Sequence, residues 1–247
     1  MKRILLCDSG EYEKVSELCV KYNLGVNVDV STPEYYLEYK PNKLNEKIEG
    51  YGNVEILSIH GCFEDLKIDS SDILIRKITA KRFEYAYEIS CKMKCKNIVL
   101  PNGYVPGRTQ SLAVELWFWK HFLKNKDKET IFYIKNELDE TPMYINDLIN
   151  AVNDENLKMC LDIGHANVFS KVKIMDWIKK VNKNIGFVYL YNNNGKINKH
   201  NGLSNGKINM IEICEALEQY CQNAIWQIET VEYEDSIKWL KEHKYIK

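Results

Sequence analysis

The stretch Cys160-Leu161-Asp162-Ile163-Gly164-His165-Ala166-Asn167 closes an apolar run with an acid and sets an imidazole three residues beyond it. If the run is a strand, Asp162 stands at its C-terminal end and His165 in the turn that leaves it. An acid and a neutral imidazole presented together are suitable donors for zinc or manganese. The plainer reading makes Asp162 the cap of the following turn, because a short acidic side chain accepts readily from backbone N–H groups just ahead of it. One pair cannot complete a coordination sphere. The choice therefore depends on what the rest of the chain brings to the same place.

Short apolar runs recur along the chain, each followed by a longer amphipathic one, which is the pattern of repeated βα units around a parallel sheet. The spacing predicts eight strands: Ile4–Cys7, Gly25–Val30, Val54–Ile59, Asn97–Leu100, Thr130–Ile134, Lys158–Asp162, Gly186–Tyr191 and Ala224–Glu229. It predicts helices over Tyr12–Tyr22, Pro33–Ile48, Asp72–Met93, Ser111–Lys124, Met143–Val152, Lys173–Val181, Met210–Tyr220 and Asp235–His243. In the third, Ile75, Ile78, Ala86 and Ile89 keep an apolar stripe, while Arg76, Lys77, Lys81 and Arg82 fall on the polar side. Pro33 and Ser111 stand where helices start, and Gly25 and Gly186 where the chain turns into strands. Eight such units in 247 residues fit a closed (β/α)8 TIM barrel of the α/β class, one domain over residues 1–247, better than an open doubly wound sheet.

Composition narrows the partners. The chain is 45% hydrophobic and 28% charged, an ordinary globular balance, and its formal charge of -1 supplies no field that would favour nucleic acid or an anionic membrane. The basic run Lys92-Met93-Lys94-Cys95-Lys96 reads as a solvated helix end. Of eight cysteines, Cys7, Cys62, Cys160 and Cys214 sit in or beside apolar runs without C-x-x-C spacing, as buried thiols in a reducing cytoplasm would. The start, Met1 to Asp8, reads as a first strand and not as a signal peptide, and no run is long enough to span a bilayer.

In a barrel of this kind, polar residues at the C-terminal ends of the strands share one basin. Strand three ends in Ser58-Ile59-His60-Gly61, strand six supplies Asp162 and His165, strand seven leads to His200, and strand eight ends in Glu229. Three of the five histidines fall on this face, with His121 and His243 left on helices. Each residue has a plain reading as an ordinary hydrogen-bonded strand end. Their joint occurrence points to a shared site.

The segments Ile131–Pro142, CLDIGHANVFS and Val188–His200, with the closing Ser236–Leu240, resemble the xylose isomerase-like barrel superfamily. That superfamily groups sugar-phosphate isomerases and epimerases with the apurinic/apyrimidinic endonucleases, and the likeness runs from about Val54 to the end. The resemblance implies His60, Asp162, His165, His200 and Glu229 as metal ligands. It also shows departures in the same basin. Strand four reads Leu100-Pro101-Asn102-Gly103-Tyr104, with Pro101 in place of a histidine. Strand five ends Lys135-Asn136 in place of Glu-Asn, strand seven offers Tyr189 and Asn192, and the loop pair is Asn198-Lys199-His200. The lost groups are mainly the anionic donors, so a trinuclear zinc centre should not assemble, and the expectation is at most one divalent ion, zinc or manganese, or none.

Within the resemblance, an isomerase or epimerase would bind its ion through strands five to eight, a set that here reads Lys135, Asp162, Tyr189, Glu229. Lys135 then has two readings: a fixed cation between Asp162 and Glu229, or an amine of depressed pKa open to proton transfer or imine chemistry. Strand alternation puts Glu137 on the face of Lys135, so a slipped register would restore a carboxylate. The implied activity is proton transfer next to a carbonyl of a sugar or related polyol. Glu229, Lys135 and Asp162 would act as acid or base, and Asn136, Tyr189, Tyr191 and Asn102 would bind substrate. Two other readings stay open: a ligand-binding descendant without metal or catalysis, and a metal-dependent phosphodiesterase. The loop Asn192–Gly206 reads as a mobile lid or binding loop, and the aromatic run Leu116–Phe122 as helix packing with one ring free for a homodimer contact.

Overall fold

Near-continuous apolar runs give each strand two buried faces, as in a parallel sheet covered on both sides. The computed structural model, which describes residues 4–32, 42–107 and 109–247, shows that arrangement. The strands β1 (Ile4–Cys7), β2 (Gly25–Asp29), β3 (Ile56–His60), β4 (Asn97–Pro101), β5 (Ile131–Lys135), β6 (Leu157–Asp162), β7 (Ile185–Leu190) and β8 (Ile225–Ile228) pair in parallel and in sequence order. β8 pairs back onto β1 through Leu5 and Gln227, which closes the ring. The chain is a (β/α)8 barrel.

Among the described residues the outer layer holds α1 (Tyr12–Tyr22), α2 (Asn42–Tyr51), α3 (Ile73–Lys92), α4 (Leu112–Leu123), α5 (Met143–Val152), α6 (Ile163–Phe169), α7 (Ile174–Val181), α8 (Met210–Tyr220) and α9 (Tyr233–Glu242). Inside the barrel, Leu5, Val99, Tyr133, Cys160, Phe187 and Ile225 pack together, so the interior is a packed core and not a pore. Outside it, Trp119 and Phe122 of α4 stack around Phe83 of α3 and Phe132 of β5, with ring centroids 5.2 to 6.5 Å apart. Each such buried side chain contributes about 1.5–3 kcal/mol. The aromatic run of α4 is therefore helix packing. Its neighbour Trp117 is 63% exposed and stacks on His121.

The differences from the sequence reading are local. The helix start expected at Pro33 lies outside the described residues, and the helix found next runs from Asn42 to Tyr51. β3 reaches one residue further, to His60, and β8 stops one residue before Glu229. The unforeseen element is α6, which begins inside CLDIGHAN because the Asp162 side chain accepts from the His165 N–H at 2.9 Å and caps it. The asparagine-rich stretch after β7 is knitted together. Asn192 and Asn201 exchange both backbone bonds, the Asn192 amide holds Leu203 and Ile208, and Asn193 reaches Gly164. Among the described residues no helix is long and apolar enough to cross a membrane.

Candidate active site

Strand register sets the floor of the basin. Pro101 pairs with Lys135, Lys135 with Cys160, Asp162 with Tyr189, and Tyr189 with Gln227, so these residues lie around the upper rim of one barrel. Lys135, the last residue of β5, is 6% exposed. Its Nζ lies 3.8 Å from a Glu137 oxygen and 3.9 Å from an Asp162 oxygen, with the rings of Tyr189 and Phe63 about it at 5.9 and 6.0 Å. Burial by itself would drive the ammonium towards neutrality. Glu137 and Asp162, with Cys160 and Glu229 behind them, outweigh it, and the net shift is upward. Of the two readings of Lys135, the geometry is that of the fixed cation, with Glu137 and Asp162 beside it where Asp162 and Glu229 had been expected.

Glu229 follows β8 and sits at the mouth of the same basin. Its carboxyl accepts from the Gln227 amide, two residues earlier on the inward face, and lies 4.0 Å from His200 Nδ1. Burial, and after it the charge of Asp162, raises its pKa to about 7. His60 ends β3, 3.9 Å from Asp29 and edge-on to Phe63. Burial and then the Lys135 charge lower its pKa to about 4, so its ring is neutral at pH 7. His200 stacks on Tyr191 at 4.0 Å between centroids, and burial lowers its pKa as well. His165 Nδ1 lies 2.9 Å from the Glu137 carbonyl, with Nε2 3.9 Å from Asp162.

Not every expected substrate contact faces the basin. Asn136 is fully buried, and its amide both donates to the Asp162 carbonyl and accepts from the Asp162 N–H. It holds Asp162 in place and, at 0% exposure, presents no surface to a ligand. Asn102 turns away to donate to Asp139 at 2.6 Å. Tyr191 does lie in the basin, its hydroxyl donating to Asn198 at 2.8 Å. Gly164 makes room for it, since a Cβ there would run into the Tyr191 ring. The Tyr189 hydroxyl is buried without a hydrogen-bond partner among the described residues.

The sequence reading missed Phe63, Asp29 and Gln227. Gln227 was accessible through strand alternation from Glu229. Phe63 lies in an irregular segment after β3, where neither spacing nor residue type marks it.

The residues do not fit a metal centre. Among the described residues no three His, Cys, Asp or Glu side chains are grouped so that they could hold an ion. His60, Asp162, His165, His200 and Glu229 ring the basin as pairs, and the Lys135 ammonium stands among the acids.

No protein-family model matches the chain. Two uncharacterized proteins of Methanocaldococcus jannaschii are 24% and 26% identical to it, over 93% and 75% of this chain and 81% and 77% of their own lengths. Among solved structures, the TTHB071 protein from Thermus thermophilus, soaked with ZnCl2, superposes with a TM-score of 0.75 at 19% identity, covering 97% of this chain and 96% of its own. A D-tagatose 3-epimerase-like protein gives 0.71 at 22% identity, covering 98% and 96%. A xylose isomerase domain protein from Planctomyces limnophilus gives 0.72 at 14% identity, covering 99% and 95%. The likeness is one of fold, a (β/α)8 barrel shared over nearly the whole chain. Pro101, Lys135 and Tyr189, the positions at which the sequence departs from the pattern that the resemblance implies, are neighbours on adjoining strands or across the basin.

Proposed function

We propose that this barrel is a sugar isomerase or epimerase that moves a proton on and off a carbon next to a carbonyl. The observation that carries the reading is the placement of Glu229, a carboxyl that titrates near neutral pH, in the same basin as the buried Lys135 ammonium. A carboxylate of pKa near the working pH is well matched to proton transfer. As Glu229 takes the proton from carbon, the C–H electron pair forms a carbon–carbon double bond and the carbonyl π pair moves to oxygen. The resulting enediolate oxygen is held by Lys135, whose charge is fixed in place before the reaction starts. Delivery of a solvent proton to the other face of the same carbon, with Glu229 releasing its own proton to solvent, gives an epimer; return of the proton to the neighbouring carbon, with the remaining hydroxyl proton of the enediol passing to the other oxygen, gives an isomer.

The sugar-acting proteins that share the fold support the class of substrate, among them the D-tagatose 3-epimerase-like protein. Tyr191, His200 and Phe63 offer ring faces for a sugar's C–H surfaces, and His60 is a neutral hydrogen-bonding group. Asp162, Glu137 and Glu229 against a single lysine leave the basin acidic, which favours a neutral sugar over a phosphorylated one. We place the protein in the cytoplasm, where its eight free cysteines would remain thiols.

The test is incubation with a panel of unphosphorylated ketoses and aldoses, followed by chromatography of the products. Conversion of at least one sugar by the wild type, reduced about 10²–10⁴-fold in Glu229→Gln, is expected. Conversion that survives in Glu229→Gln at the wild-type rate would remove Glu229 from the mechanism, and no conversion of any sugar would count against the reaction class.

A further inference from the structure

We propose that Lys135 occupies the place of a divalent ion, so that this basin works with a lysine ammonium as its resident cation and takes up no divalent metal. The inference rests on reading this basin as the reaction site, and it concerns what balances the charge there.

Four observations converge on it. Lys135 ends β5, the strand-five position at which the resemblance implies a metal-binding glutamate. Its Nζ is flanked by Glu137 and Asp162 at 3.8 and 3.9 Å, so acids that would otherwise be available to an ion already neighbour a cation. The rings of Phe63 and Tyr189 stand 6.0 and 5.9 Å from the same nitrogen. Aromatic faces stabilise an ammonium through the ring quadrupole and offer no lone pair to a small divalent ion, which requires oxygen, nitrogen or sulfur donors in close contact. Finally, Pro101, beside Lys135 in the barrel register, cannot donate a side-chain lone pair, and among the described residues no three metal-binding side chains are grouped to hold an ion.

The two aromatic rings and two carboxylates thus surround one nitrogen in the way a fixed organic cation requires. A divalent ion brought to the same acids would meet that ammonium within a few ångströms and be repelled by it. Replacing the ammonium with an acid reverses both effects, since it removes the repulsion and adds a donor on the same strand end.

The experiment is calorimetric titration of MnCl2 into purified wild type and Lys135→Glu at pH 7, with melting temperatures recorded in chelator and in excess Mn²⁺. The wild type is expected to show no saturable uptake and no shift in melting temperature. Lys135→Glu is expected to take up one equivalent per chain and to melt higher with Mn²⁺ than with chelator. If Lys135→Glu does not fold without metal, Lys135→Gln, which removes the charge and supplies a neutral oxygen donor, is read in the same way. Stoichiometric Mn²⁺ binding by the wild type with Lys135 in place would overturn the proposal, as would folded Lys135→Glu and Lys135→Gln proteins that gain no affinity. Metal uptake is measured without substrate, so a failure of the sugar reaction leaves this result unchanged and the two failures are told apart.

Discussion

Two lysines are buried at the C-terminal face of the barrel, each 6% exposed, and they are held in different ways. Lys47, on α2, bonds directly to the Asp8 carboxylate and donates to the Asp29 carbonyl at 2.6 Å. Asp8 in turn accepts from Tyr51 and from the Gly10 and Asp29 N–H groups, so this cation and its acid are bound on every side. Lys135 has its two acids at 3.8 and 3.9 Å, beyond hydrogen-bonding distance. Its charge is stabilised while its N–H groups remain available to a ligand oxygen. Equal burial therefore conceals two kinds of pairing, a bonded one at Lys47 and an open one at Lys135, and under the proposed mechanism only the second is functional.

Lys47→Met tests the structural side and carries the largest expected effect. Breaking a buried pair leaves Asp8 without its cation, so urea denaturation should show a loss of about 3–5 kcal/mol, with sugar conversion per folded molecule unchanged. Lys135→Met should give the converse: a smaller loss of stability, and a rate lowered about 10²–10³-fold, equivalent to about 3–4 kcal/mol of transition-state stabilisation. If Lys135→Met proves the more destabilising of the two and leaves the rate intact, the contrast is reversed and the assignment fails.

Glu229 sharpens the comparison through pH. Its pKa is raised from 4.5 when unfolded to about 7 when folded, so between those values the native state holds more protons and stability falls as pH rises. Glu229→Gln should remove roughly 2–3 kcal/mol of that fall, read as the difference between the stability curves of variant and wild type from pH 4.5 to 7. His60 works in the opposite sense, its lowered pKa of about 4 adding stability as pH climbs towards 6.5, which is why the difference between curves is the quantity to measure. In the proposed mechanism the carboxylate form of Glu229 is the base, so the rate should rise up to about pH 7 and level off above it. The smallest effect is expected at Gly164, where alanine would press a methyl into the Tyr191 ring and cost about 1–3 kcal/mol by thermal denaturation.

The barrel was legible because alternating apolar strands and amphipathic helices repeat at a spacing that few other folds share. The opening stretch has two readings, as a site element and as a turn cap, and the structure shows the cap together with a second carboxylate oxygen turned to Lys135. Asp162 accepts from the His165 N–H with one oxygen and faces Lys135 with the other. Glu137 as a companion of Lys135 followed from strand alternation. What residue identity could not reveal was direction. The Asn136 and Asn102 amides have the chemistry to bind a sugar, but they are used on Asp162 and Asp139, because a buried amide takes whichever partner the backbone places beside it. The loop asparagines of 192–194 look like a flexible tract by composition, yet Asn192 and Asn193 supply the bonds that replace regular structure there.

The most direct test of the central claim is wash-in of solvent deuterium. A sugar converted by the wild type is incubated in D2O with chelator present, and the label at the carbon next to the carbonyl is followed by NMR for the wild type, Lys47→Met and Lys135→Met. Incorporation by wild type and by folded Lys47→Met, with little or none by Lys135→Met, is the result predicted here. Equal incorporation by Lys135→Met and wild type, or exchange in the wild type that stops when chelator is added, would contradict it.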